Sequence, residues 1–241
     1  MYTNRGKFDK NLSVFLIGFL FFNLLPSILY SIGFFNWIDA NLLYNIHYYS
    51  YSDLLTITIY MISITMLFAL IGRTYFDKLV DGLKKHNNII RGIAIGVIIV
   101  TVTVLYNLLI NTLVSTGSNI NEQSVESLTI RRPFEAFLII VIIAPIFEEY
   151  IYRFGLFGFF KKKNRFLAYV FTILIFALIH FNISAEPSEM INELLNLPSY
   201  LIAAGILSYA YDKYDISVSI YAHMFNNLIA FISTFISAWE N

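Results

Sequence analysis

Two adjacent carboxylates and a guanidinium stand in an otherwise apolar run, Ala144-Pro145-Ile146-Phe147-Glu148-Glu149-Tyr150-Ile151-Tyr152-Arg153. In a membrane helix each such charge costs about 2.5 to 3.5 kcal/mol on insertion scales, so three uncompensated ones cost roughly 8 to 10 kcal/mol. Residues four apart on a helix share a face, so Glu149 and Arg153 can neutralise each other. Glu148 is turned about 100° away and is left without a local partner, the condition for a carboxylate that takes or gives a proton. Two more polar clusters follow in apolar runs: Phe176-x-x-x-His180 and His223-x-x-x-Asn227. Taken singly, each has a bland reading: an intramembrane histidine or asparagine as an interhelical hydrogen-bonding group, Glu149 with Arg153 as a structural ion pair. Together, two carboxylates, two imidazoles, an amide and a guanidinium on three helices have the make-up of an active site.

The elements that position them are read from composition. The chain has 241 residues, 58% hydrophobic and 13% charged, with 17 Tyr and 23 Phe. Several apolar runs have membrane-spanning length, so the fold class is an all-α, polytopic transmembrane bundle with the site inside it. Seven spans are expected: 12–35 (bent at Pro26), 54–71, 89–114, 133–160, 166–181, 194–211 and 216–238. The first is too long for a signal-peptide core and is read as a retained helix. Residues 36–53 form an interfacial segment, 115–127 a loop, and 183–193 an acidic loop with a short surface helix starting near Pro187. Residues 1–132 carry no recognisable motif and 133–241 carry all the chemistry, within one integral membrane domain.

Charge sets orientation and excludes classes. Of the 16 basic residues, thirteen fall in the N-terminal tail and alternate loops, two (Arg131 and Arg132) in the other loops, and one is Arg153. That asymmetry predicts a multi-pass protein of the cell membrane with a cytoplasmic N-terminus. The Lys161-Lys162-Lys163-Asn164-Arg165 cluster is then a topology signal, Trp37 and Trp239 are interfacial aromatics, and His47 and His86 are solvated loop residues. Zero net charge and no basic aromatic module argue against nucleic acid as a partner. With no Cys there are no disulfides, thiolate ligands or cysteine nucleophile. Counting about 1.5 Å per residue from the nearest cytoplasmic lysine, Glu149 lies about 18 Å deep and His223 about 15 Å, whereas His180 lies about 26 Å deep.

The three motifs, in residue type, spacing and chain order, resemble those of the CAAX protease and bacteriocin-processing family, also called Abi, which includes the type II CAAX-prenyl endopeptidases. The resemblance covers roughly Phe134 to Phe231, with all three motifs intact. It implies an intramembrane endopeptidase without a cofactor. Glu148 would be the general base, His180 would hold the water, His223 and Asn227 would stabilise the oxyanion, and Glu149 with Arg153 would brace the site. A zinc site built from Glu and His is the competing chemistry, although no His-Glu-x-x-His is present. A nonenzymatic binding or immunity protein and a proton-coupled transporter are the alternative functions; a transporter has no need of His223 one turn before Asn227. The expected partners are the lipid bilayer and a membrane-associated peptide or protein: a prenylated tail, a secreted-peptide precursor or a membrane protein. Richness in Ile, Asn, Lys and Phe suggests AT-rich bacterial coding, which favours peptide maturation or bacteriocin self-immunity over prenylation.

Overall fold

Helices are the only regular elements among the described residues, as the apolar runs require, because a backbone in lipid must satisfy its polar groups within its own segment. The computed structural model describes residues 9–34, 37 and 72–240. The expected second span, 54–71, lies outside them, as does the interfacial segment apart from Trp37. The chain divides into two units, Met1–Asp77 and Lys78–Asn241.

In the first unit, α1 starts at an Asp9 cap whose carboxylate accepts the Asn11 and Leu12 amides. It runs through Lys10–Phe19, a π segment Leu20–Leu24 and Leu25–Ser31. The π segment ends at Leu24, two residues before Pro26: the Leu25 N–H bonds Leu20 O, which accommodates a proline that has no N–H of its own.

Helix α2 (Arg73–Lys84) leads into the second unit, which contains α3 (His86–Leu113), α4 (Ile120–Arg131), a composite α5 over 133–161, α6 (Arg165–Leu178), α7 (Pro187–Lys213) and α8 (Ile216–Glu240). Among the described residues, four helical stretches are long and apolar enough to cross a membrane: Lys10–Leu29, His86–Leu113, Pro187–Lys213 and Ile216–Ser237. Helix α6 is apolar but shorter.

Three expectations are corrected. Residues 115–127 are not all loop, because Asn119 and Glu122 close a reciprocal capping box that starts α4 at Ile120. The surface helix at Pro187 and the sixth span are one helix: Pro187 fits the first turn, and the interior Pro198 does not end it. The fifth span stops at Leu178, so His180 stands in the turn beyond it rather than on the helix.

The core of this unit forms where α3 meets α7 and α8, with Ile95, Ile99, Leu207, Val218 and Ala222 buried together. Close approach of α3 to α8 depends on Gly92 and Gly96, a small-x-x-x-small pair. A Cβ on Gly92 would stand 2.3 Å from Tyr221 Cβ, and one on Gly96 would stand 2.8 Å from Phe225 Cβ. Polar contacts fix the same register at one end: Asn88 Nδ2 donates to Ser217 Oγ at 2.9 Å and the Tyr221 hydroxyl to Leu83 O at 2.7 Å. This packing sets the rotation of α8, the helix that carries His223 and Asn227.

Candidate active site

Helix α5 is helical throughout 133–161 but changes winding twice, with π segments at Phe137–Ile143 and Glu149–Phe157 around the α turn Ala144–Glu148. Such segments are rare and gather at functional sites. Glu148 therefore ends an α turn and Glu149 opens a π segment. The wider turn still places Arg153 on the face of Glu149, and Arg153 Nη1 donates to Glu149 Oε1 at 2.9 Å with both side chains fully buried.

Every oxygen of Glu149 is engaged. Oε1 also meets His223 Nδ1 at 2.9 Å, and Oε2 is held by the Ser219 hydroxyl, whose oxygen is also 3.0 Å from Leu207 O. Arg153 is held in turn by the Ala204 carbonyl, 3.4 Å from Nη2, and by the Phe176 ring, whose centroid is 4.2 Å from the guanidinium carbon. Burying an ion pair is tolerable only when its remaining lone pairs and protons find partners. Here α7, α6 and α8 supply most of them, and the buried Nε of Arg153 makes no hydrogen bond.

Glu148 differs. Its Oε2 makes no hydrogen bond, and His223 Nε2 lies 3.7 Å from it. His223 thus stands between the two carboxylates, Nδ1 on Glu149 and Nε2 toward Glu148. An ionised carboxylate only accepts, so the Glu149 contact assigns the proton to Nδ1.

His180 reaches the same region from the turn after α6. Its Nδ1 lies 2.8 Å from Phe176 O, a carbonyl that can only accept, so this nitrogen carries the proton and Nε2 is left open. The ring lies nearly parallel to Tyr200, centroids 4.7 Å apart and 19° between planes, and 4.9 Å from the Phe176 ring. The Phe176 ring also touches His223, at 6.0 Å.

Asn227 is brought to α5 rather than to the carboxylates: its Nδ2 donates to Ile140 O at 2.9 Å, and Oδ1 accepts from Asn226. Among the described residues, no three His, Cys, Asp or Glu side chains are grouped as ligands for a metal ion.

Three supporting residues escaped the sequence reading. Ser219 lies one turn before His223 and was legible as part of the same polar face. Glu193, expected in an acidic loop with a short surface helix, is buried: its carboxylate accepts the Ile120 N–H at 2.8 Å and the Asn182 N–H at 2.9 Å. Tyr200 carried no local signal, because a tyrosine inside an apolar helix has nothing in its spacing that points to a histidine twenty residues earlier.

No curated protein and no solved structure matches the chain. Residues 131–229 match the family model for the type II CAAX prenyl endopeptidase Rce1-like proteins, a stretch that contains all three polar motifs. Over that stretch, which carries the ion pair, the two histidines and the amide, the chain is similar to the Rce1-like type II CAAX prenyl endopeptidases.

Proposed function

We propose that the protein is an intramembrane endopeptidase in which Glu148 activates water. The observation that carries this reading is the contrast between neighbours: Glu149 spends both oxygens on Arg153, His223 and Ser219, whereas Glu148 Oε2 is unbonded. A general base needs an acceptor that is held in place but not already occupied.

In the proposed reaction, Glu148 takes a proton from water as its oxygen forms a bond to the scissile carbonyl carbon. The C=O π electrons move onto oxygen, giving a tetrahedral oxyanion. Glu148 then returns the proton to the amide nitrogen as the C–N bond breaks, leaving a carboxylic acid and an amine, between which a proton passes to give carboxylate and ammonium. His180, with Nε2 open, orients the water. His223, held by Glu149 through Nδ1, would present Nε2–H to the oxyanion once it carries a second proton. Asn227 commits one N–H to Ile140 and has a second to offer the same oxygen. Glu149 and Arg153 hold His223 in place.

The basic-residue asymmetry supports a cytoplasmic N-terminus and a site nearer the cytoplasmic half of the cell membrane. The substrate class that suits such a site is a peptide or protein tail anchored in that leaflet. The test is cleavage of membrane-anchored and C-terminally lipidated peptides by the purified protein in liposomes, wild type beside Glu148→Gln, with and without a strong chelator. Cleavage that survives chelation and disappears in a folded Glu148→Gln protein is expected. Full activity in that variant would refute the role of Glu148, and activity lost to chelation and restored by zinc would move Glu148, His180 and His223 to metal ligation.

A further inference from the structure

His180 is the one motif residue whose backbone no helix fixes. Helix α6 ends at Leu178; the His180 and Phe181 N–H groups make only tight-turn bonds, to Ala177 O and Leu178 O. A histidine in such a turn needs other anchors if its ring is to hold one plane. Helix α7 supplies two, Glu193 and Tyr200, which are seven residues apart and therefore on one face, two turns from each other.

Each of the two reaches the same pair of structures. Glu193 accepts the Asn182 N–H at 2.9 Å, two residues after His180, and the Ile120 N–H at 2.8 Å, at the start of α4. Tyr200 stacks on the His180 ring, and its hydroxyl accepts from Asn119 Nδ2 at 3.3 Å and Asn121 Nδ2 at 3.1 Å, again at the start of α4. Between them, Asn196 Nδ2 donates to Gly117 O at 3.0 Å. One stripe of α7 thus joins the His180 turn to the capped end of α4. The burial of Glu193 has a physical explanation here, since two backbone amides, one of them in the first turn of a 12-residue helix, stabilise its charge.

We infer that Glu193 and Tyr200 are positioning residues for His180: Glu193 holds the turn, Tyr200 holds the ring plane, and together they aim Nε2. This rests on the proposed protease reading for its kinetic consequence but not for its structural one. A ring displaced by about 1 Å can lose on the order of a hundredfold in rate while binding is little changed.

The test pairs Tyr200→Leu with Tyr200→Phe, and adds Glu193→Gln as a milder change should Tyr200→Leu not fold. Helical content and thermal unfolding select the variants that fold. Histidine side-chain NMR, assigned with His180→Gln, then reads the environment of His180 without any substrate, and kcat and KM are measured separately on a cleaved peptide. Tyr200→Leu should shift the His180 resonances and lower kcat about 10- to 100-fold with KM within about twofold. Tyr200→Phe keeps the stacked ring and should stay within about threefold of wild type, with His180 little moved. Glu193→Gln leaves one N–H facing an amide NH2, so it too should shift His180 and lower kcat.

Unmoved His180 resonances in folded Tyr200→Leu or Glu193→Gln would overturn the inference. So would equal losses in Tyr200→Leu and Tyr200→Phe, which would make the hydroxyl rather than the stacking face the important part. If wild-type protein cleaved nothing, the protease reading would fail while the NMR comparison still decided this one.

Discussion

The Asn227 amide donates to the Ile140 carbonyl at 2.9 Å, and Pro145 explains why that carbonyl is available. In an α turn its partner would be the Ala144 N–H, but that group bonds Ile139 O; in a π turn it would be the N–H of residue 145, and proline has none. Asn227 therefore completes a backbone that the first motif's own proline leaves short. The same amide that is proposed to face the oxyanion also ties α8 to α5.

A double-mutant cycle checks this. Asn227→Ala in the wild-type background should cost about 1 kcal/mol, the penalty of an unpaired, part-buried carbonyl. In a Pro145→Ala background a backbone N–H becomes available to Ile140, so the same substitution should cost measurably less. Thermal or denaturant unfolding of the four proteins gives the coupling; additive losses would mean that Pro145 and Asn227 act independently.

The buried pair should behave asymmetrically. Glu149→Ala or Arg153→Ala leaves a lone charge at a fully buried position and should cost about 3–5 kcal/mol. Replacing both, as Glu149→Ala with Arg153→Leu, should recover part of that loss without restoring activity, because His223 then has nothing to hold its Nδ1. Unfolding measurements with an activity assay on each protein separate the two effects. A well-folded, active Glu149→Ala protein would rule out the bracing role.

Glycine positions offer a graded comparison. Gly92→Ala places a methyl group against Tyr221 and the Val218 carbonyl, and should cost about 1–3 kcal/mol through overpacking. Gly205→Ala meets only Ile173 Cδ1, at an ordinary 3.6 Å, and should be neutral or stabilise α7 by up to about 1 kcal/mol. Loss of activity in Gly92→Ala beyond its loss of folded protein would show that the rotation of α8 reaches His223.

Glu122, at the start of α4, provides a pH test. Burial is the main cause that raises its pKa above the usual carboxylate value; the Asn119 N–H works against this and the nearby Glu193 charge adds to it. The folded state therefore holds this proton more tightly than the unfolded chain. The associated stability is present below the unfolded pKa and is lost as pH rises through the folded one. Glu122→Gln keeps an acceptor for the capping box and removes the titration, so it should flatten stability across the acid range and be neutral or stabilising at pH 7. Unfolding midpoints of both proteins from about pH 4 to 8 check the sign.

Local constraints were legible in the residues alone. The Glu149–Arg153 pair follows from a four-residue spacing, and α3 and α8 follow from the length of their apolar runs. The carboxylate without a local partner also follows from the helical period. Asn119 and Glu122 were equally legible as a capping box, as was the Gly92/Gly96 pair, although neither entered the sequence reading. What only the tertiary structure decided is which distant groups meet: His223 dividing its two nitrogens between neighbouring carboxylates, Glu193 buried under two backbone amides, Tyr200 lying flat on His180, and Asn227 turned to Ile140. The physical reason is phase. Whether residues seventy positions apart touch depends on the rotation and depth of each helix. Here those are set by glycines that admit a neighbouring helix, by prolines that remove one N–H, and by π segments that rewind α5 around its own carboxylates.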